Sequence, residues 1–174
     1  MLQRVLLFIV LPIGVLAFAG YYWLGGLNEV TVEVVTEEAR LLVAKRYQGQ
    51  YGDLALRQAF VEARKLQEEG TLPGVLTVAN LDSVSASGQS VHQLIGVTMS
   101  TSPSTVPTGY QVDTLPTGQY LRATLRANPL VMPQPRIINE HIADYANEHA
   151  LDIIGLPIEF YQAGDTLRIE RAVR

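Results

Sequence analysis

Residues 5–24 form a run of about twenty residues without a charged side chain. At 1.5 Å per residue, a helix of this length reaches roughly 30 Å, the thickness of a membrane's hydrocarbon core. The run therefore predicts a transmembrane anchor with its linker over residues 1–27, followed by a domain over residues 31–174. Basic charge precedes the run at Arg4 and acidic charge follows it. The positive-inside tendency then predicts a single-pass protein whose domain lies on the extracytoplasmic side of the membrane.

A cleaved signal peptide is the alternative interpretation of the same segment. Ala17, Phe18 and Ala19 supply a small-x-small cleavage site after an apolar core. Apolar character continues beyond that site through the aromatic residues at 21–23, which favours an uncleaved anchor. The two interpretations predict different mature N-termini.

Composition excludes several classes of function for the remaining part of the chain. About 145 residues are the usual size of one domain with one core. A net charge of −4 provides no basic face for phosphate backbones, so we expect no nucleic-acid partner. The absence of cysteine removes disulfides and thiolate metal sites. Three isolated histidines do not form a zinc cluster, so we expect neither a metal nor a cofactor: His92, His141 and His149.

The spacing of apolar residues predicts two helices among extended segments. Leu56, Phe60 and Ala63 recur at helical spacing after the N-cap candidate Asp53, and a second apolar stripe begins at Ile138. Each stripe follows an extended segment and precedes two more. This order predicts an α+β fold, a duplicated βαββ unit with two helices on one face of an antiparallel sheet.

Five short strings occur in a recognisable order around these two helices. They are residues 47–52 (YQGQYG), 94–97 (LIGV), 109–110 (GY), 115–120 (LPTGQY) and 157–161 (PIEFY). In order and spacing they resemble the GyrI-like small-molecule-binding domain, in a membrane-anchored form like that of an animal single-pass receptor for autophagy of the endoplasmic reticulum. That receptor has the opposite orientation, so for a eukaryotic host the orientation is left open. The resemblance implies that the domain binds a small amphipathic or cationic ligand.

Glu159 is the foremost candidate binding residue. In an alternating strand Ile158 and Phe160 point to one face, whereas Glu159 and Tyr161 point to the other. If the apolar pair packs under the helices, the carboxylate faces a groove on the opposite side. The resemblance implies that this glutamate binds a cationic ligand, to which aromatic rings would add a cation–π contribution. A solvated glutamate on an exposed strand is the alternative.

Tyrosines are the other candidates for the wall of a ligand groove. Ligand pockets combine aromatic walls with a few polar groups, and five tyrosines lie on or beside predicted strands. They are Tyr47, Tyr51, Tyr110, Tyr120 and Tyr161. Some of them can instead belong to the hydrophobic core.

Two other functions remain open at this point. We expect no enzyme, because the sequence contains no nucleophile–base pair, phosphate loop or metal cluster. Some GyrI-like proteins nevertheless hydrolyse strained toxic small molecules with a glutamate and a tyrosine, which the resemblance would place at Glu159 and either Tyr120 or Tyr161. The second alternative is a membrane-tethered interaction module that binds another envelope protein through an exposed apolar patch.

Overall fold

The computed structural model describes residues 2–82 and 90–174, with side chains from residue 12 onward. The polar sequence of residues 82–90 (DSVSASGQS) predicts a connection between two strands, and most of it lies outside the described residues. Three helices and eight strands follow one another as α1 (Leu2–Trp23), β1 (Thr31–Glu37), β2 (Arg40–Gln50), α2 (Leu54–Glu68), β3 (Val75–Asn80), β4 (Ser90–Met99), β5 (Gln111–Leu115), β6 (Gly118–Arg126), α3 (Pro135–Glu148), β7 (Ile158–Gln162) and β8 (Thr166–Ala172). These strands form one antiparallel sheet in the order β1-β6-β8-β7-β3-β4-β2-β5. The predicted α+β class with an antiparallel sheet is confirmed.

The predicted membrane anchor requires correction. Among the residues that the structure describes, no helix combines the length and the apolar character needed to cross a membrane. The predicted single-pass, extracytoplasmic localisation is therefore wrong, and the transmembrane anchor predicted at 1–27 has no support in the described residues. The predicted membrane and envelope-protein partners lose their support with them.

Helices α2 and α3 form where the apolar spacing predicts them. In α2 the small residues Ala59 and Ala63 are buried against the sheet, and Gly70 with a φ of +74° follows the helix end. In α3, Pro135 occupies the first turn, where its missing N–H costs no helical hydrogen bond. Ile138 and Ile142 of α3 are fully buried. The two helices thus pack their apolar stripes on separate halves of the sheet.

The sheet is curled so strongly that its distant strands meet on one face. Neighbouring strands lie about 4.8 Å apart, so β8 and β2, four steps apart in the sheet order, would be about 19 Å apart if the sheet were flat. Instead Nη2 of Arg40 on β2 lies 2.6 Å from Oε2 of Glu170 on β8. The face that carries these two residues is therefore the inside of the curl.

A group of charged residues lies on the inside of this curl. Glu170 is fully buried and accepts hydrogen bonds from Arg40 and, at 2.9 Å, from Nε of Arg122. Arg168 Nε lies 3.4 Å from the same carboxylate, and Glu37 forms ion pairs with both Arg40 and Arg122. We call these five residues the interior charge cluster. In this cluster three guanidinium groups share two carboxylates. Their ion pairs join β1, β2, β6 and β8 on the face of the sheet that the helices do not cover.

Candidate functional site

Strand register places Glu159 on the helix-covered face of the sheet. Glu159 pairs with Val78 of β3 and with Ile169 of β8, and residues paired in this way share a face. Val78 packs with α2, whereas Ile169 packs with α3. Glu159 therefore lies between the two helices. Tyr161, two residues further along β7, shares that face and contacts both hydrophobic clusters.

The hypothesis that Ile158 and Phe160 pack under the helices is wrong. Phe160 is fully buried on the inside of the curl, where the guanidinium carbons of Arg40 and Arg168 lie 5.0 and 4.3 Å from its ring centroid. Ile158 packs with Phe160 in the same cluster. The hypothesis assumed one buried face, whereas the curl buries both. Glu159 and Tyr161 still share a face, but it is the helix side.

A cavity of about 810 Å³ opens between α2, the start of α3 and the β7–β8 hairpin. Its size falls within the 300–1,000 Å³ typical of pockets for drug-sized ligands. Its wall combines aromatic and aliphatic side chains with charged ones, and includes Phe60, Arg64, Leu76, Met132, Tyr161 and Leu167. The cavity thus lies over the strand that carries Glu159.

Glu159 forms a hydrogen-bonded unit with its neighbours below the cavity. The Tyr161 hydroxyl donates to Oε2 of Glu159 at 2.6 Å, and the side chain of Asn80 provides a second hydrogen bond. Asn80 is itself held by Gln93, whose Nε2 donates to Oδ1 of Asn80 at 2.8 Å. Burial raises the pKa of Glu159 above its ordinary value, and the two hydrogen bonds oppose that rise. This carboxyl group therefore holds its proton to a higher pH than an exposed glutamate.

Tyr161 links this unit to the aromatic wall of the cavity. Its ring lies edge-to-face against Phe60, with centroids 5.0 Å apart and planes at 84°. The guanidinium carbon of Arg64, one helical turn beyond Phe60, lies 5.2 Å from the Phe60 ring centroid. Burial and the adjacent Glu159 raise the pKa of Tyr161, so its hydroxyl remains a hydrogen-bond donor at neutral pH.

The other predicted tyrosines are not gathered around the cavity. Tyr47 packs near α2 and donates from its hydroxyl to Asp53 at 2.9 Å, while Tyr51 is largely exposed. Tyr110 is buried in a separate cluster, where burial raises its pKa to about 12. Tyr120 is buried inside the curl and donates to the carbonyl oxygen of Pro116 at 2.6 Å. Only Tyr161 of the six predicted residues is among the side chains that line the cavity.

Sequence reasoning missed Phe60 and Arg64 as candidate site residues, and it missed Asn80. The apolar spacing explains Phe60 as part of the buried stripe of α2, and Arg64 lies outside that stripe. Their spacing of four residues places them side by side on a helix, so an aromatic–cation pair was detectable. Asn80 carried no such signal, since only strand pairing brings it near Glu159. Among residues 12–82 and 90–174, no group of three or more metal-ligating side chains is found.

Comparison with known proteins gives a fold but no family. No protein-family model and no curated protein matches the chain. The EcmrR C-terminal domain is 10% identical over 83% of this chain and 98% of that one, with a TM-score of 0.57. SAV2435 bound to tetraphenylphosphonium is 17% identical over 83% of this chain and 94% of that one, with a TM-score of 0.53.

A further match is EcmrR in its DNA complex, 11% identical over 99% of this chain and 71% of that one, with a TM-score of 0.59. At these identities the matches establish similarity of fold alone. The chain therefore has the fold of the EcmrR C-terminal domain and SAV2435, which is consistent with the GyrI-like fold that its sequence resembles.

Proposed function

We propose that the domain binds a small amphipathic molecule, preferentially a cation, in the cavity between α2 and α3. The observation that carries this proposal is the cavity of about 810 Å³ above the hydrogen-bonded pair Glu159–Tyr161. The similar fold of SAV2435, whose structure contains tetraphenylphosphonium, supports a lipophilic cation as the first probe.

The chemistry of the lining suits such a molecule. Phe60 and Tyr161 present ring surfaces, and Leu76 and Leu167 add aliphatic area for burial of apolar groups. A cation above the Glu159 carboxyl group favours its ionised form, so binding releases the proton that burial retains in the free protein. We further propose that the domain is not an enzyme, because the hydroxyl of Tyr161 already donates to Glu159 and the described lining contains no serine, cysteine or histidine.

We expect tetraphenylphosphonium to stabilise the full-length protein against heat. A ligand at 100 times its dissociation constant adds about 2.7 kcal/mol to the free energy of unfolding. Phe60→Ala should weaken this binding about tenfold, because it removes one aromatic wall of the cavity. Val61→Ala, on the neighbouring exposed position of α2, is the matched control and should bind like the wild type. Titration calorimetry with the three proteins measures the affinities.

Absence of tetraphenylphosphonium binding to the wild type, or equal affinities in all three proteins, would contradict the proposed site. Binding that Phe60→Ala weakens and Val61→Ala leaves unchanged would place the ligand in the cavity.

Affinity for the cation should increase with pH. The pKa of Glu159 lies above its ordinary value of 4.5 in the free protein, and the cation prefers the ionised carboxylate. Binding should therefore strengthen as the pH rises from 4.5 through the raised pKa and level off above it. Calorimetry in buffers of different ionisation enthalpy should detect proton release on binding. A flat pH profile that Glu159→Gln does not change would contradict the role of Glu159.

A further inference from the structure

We propose that Arg64 sets the charge selectivity of this cavity by occupying the aromatic face that a bound cation would otherwise contact. The inference rests on the proposed function, since it concerns the occupant of the same cavity. In this role Arg64 competes with a cationic ligand for the aromatic face and attracts an anionic ligand.

The position of Arg64 supports this role. Its guanidinium carbon lies 5.2 Å from the centroid of Phe60, within the distance at which a ring face attracts a cation. Phe60 in turn meets Tyr161 edge-to-face, and Tyr161 donates to Glu159. All of Arg64, Phe60 and Tyr161 line the cavity. The guanidinium therefore lies at the outer end of a series of contacts that runs from Arg64 through Phe60 and Tyr161 to the Glu159 carboxyl group.

Arg64 is also free to leave that position. It is exposed, and no carboxylate in residues 12–82 and 90–174 lies within ion-pair distance of its guanidinium. A residue held only by an aromatic contact moves away at small cost, because such a contact is weak when exposed to water. A cation must displace it, whereas an anion of the same shape gains from its charge.

Other charges near the cavity do not provide the same selectivity. The carboxylates of Glu68 and Asp165 are both among the lining residues, and both are exposed. Solvent and salt therefore screen their attraction for a cation. Arg64 is the one cationic side chain among the described lining residues, and it alone of the lining charges lies over a ring.

Two probes of the same shape and opposite charge test the proposal. Tetraphenylphosphonium and tetraphenylborate are both titrated into the wild type and into Arg64→Gln by calorimetry. Gln is a good helix former, so the exposed substitution should leave folding unchanged. We expect Arg64→Gln to strengthen phosphonium binding about tenfold and to weaken borate binding by a similar factor.

Arg57→Gln is the matched control. It removes the same charge from an exposed position on the same helix, and Arg57 is not among the residues that line the cavity. It should change either affinity by less than about twofold, because solvent screens the charge.

The double variant Phe60→Ala/Arg64→Gln completes a double-mutant cycle. If Arg64 competes for the face of Phe60, the gain from Arg64→Gln should largely disappear in the Phe60→Ala background.

The outcomes separate this inference from the function on which it rests. Wild-type binding of the phosphonium with an unchanged phosphonium-to-borate ratio in Arg64→Gln would overturn the role of Arg64 and leave the proposed function standing. An equal change of that ratio in Arg57→Gln would also overturn it. Failure of the wild type and of Arg64→Gln to bind either probe would overturn both proposals. Wild-type binding of the phosphonium that Arg64→Gln strengthens and Arg57→Gln leaves unchanged would support the inference.

Discussion

Glu159→Gln is expected to weaken binding of tetraphenylphosphonium about thirtyfold, or roughly 2 kcal/mol, the size of a desolvated contact with a cation. The substitution keeps the size of the side chain and an oxygen that can accept the 2.6 Å hydrogen bond from Tyr161. Only the charge is lost. Titration calorimetry above the raised pKa of Glu159, where the wild-type carboxyl group ionises, measures the difference.

Glu148→Gln is the matched control for this loss of charge. Glu148 is exposed at the end of α3, and it is not among the residues that line the cavity. Its substitution should leave the affinity for the phosphonium nearly unchanged. Equal affinities of Glu159→Gln and the wild type would show that the carboxylate does not contact the ligand.

The same substitution should not reduce the stability of the free protein. Folding raises the pKa of Glu159, so the folded state favours the protonated form. The ionised carboxyl group therefore destabilises the fold at a pH above the raised pKa, and this cost disappears as the pH falls below 4.5, the ordinary value. Glu159→Gln should raise the unfolding midpoint at high pH and leave it unchanged at low pH. A lower midpoint with unchanged affinity would identify Glu159 as a structural hydrogen-bond acceptor.

The sequence predicts secondary structure here better than it predicts which face of the sheet is used. Helical spacing in Leu56, Phe60 and Ala63 is a local property, and α2 forms where it indicates. Alternation in β7 likewise predicts that Glu159 and Tyr161 share a face. The alternation does not say which face the helices cover. An apolar residue such as Phe160 could equally well lie beneath a helix. The answer depends on the pairing of β7 with β3, which is non-local.

Long-range pairing also explains why most of the predicted tyrosines lie outside the site. Tyr110 and Tyr120 belong to neighbouring segments, yet one is buried in a cluster beside Leu66 and the other lies inside the curl. The order of the strands separates them, since β5 and β6 lie near opposite ends of the sheet, and no pattern in a single strand predicts that order. The residues inside the curl were missed for the same reason, since Arg40 and Glu170 are 130 positions apart in the chain.

The interior charge cluster should be the most sensitive part of the fold to a single substitution. Glu170 is fully buried, and its two oxygens accept hydrogen bonds from Arg40 and Arg122 while Arg168 lies alongside. Glu170→Gln keeps the volume but leaves three guanidinium groups with Glu37 as their one remaining carboxylate in the cluster. Breaking a buried ion pair by removing one partner costs about 3–5 kcal/mol. For a chain of this size that lowers the unfolding midpoint by about 6–20 °C.

A second variant distinguishes charge imbalance from a general loss of packing. Glu170→Gln/Arg168→Gln removes one positive charge with the negative one, so it should recover part of the lost stability. Arg168 is the appropriate partner because it lies beside Glu170 and burial lowers the pKa of its guanidinium. Glu62→Gln breaks the half-exposed ion pair with Lys45 and should cost less than about 1 kcal/mol. If Glu170→Gln is no more destabilising than Glu62→Gln in thermal and urea unfolding, the cluster does not hold the curled sheet together.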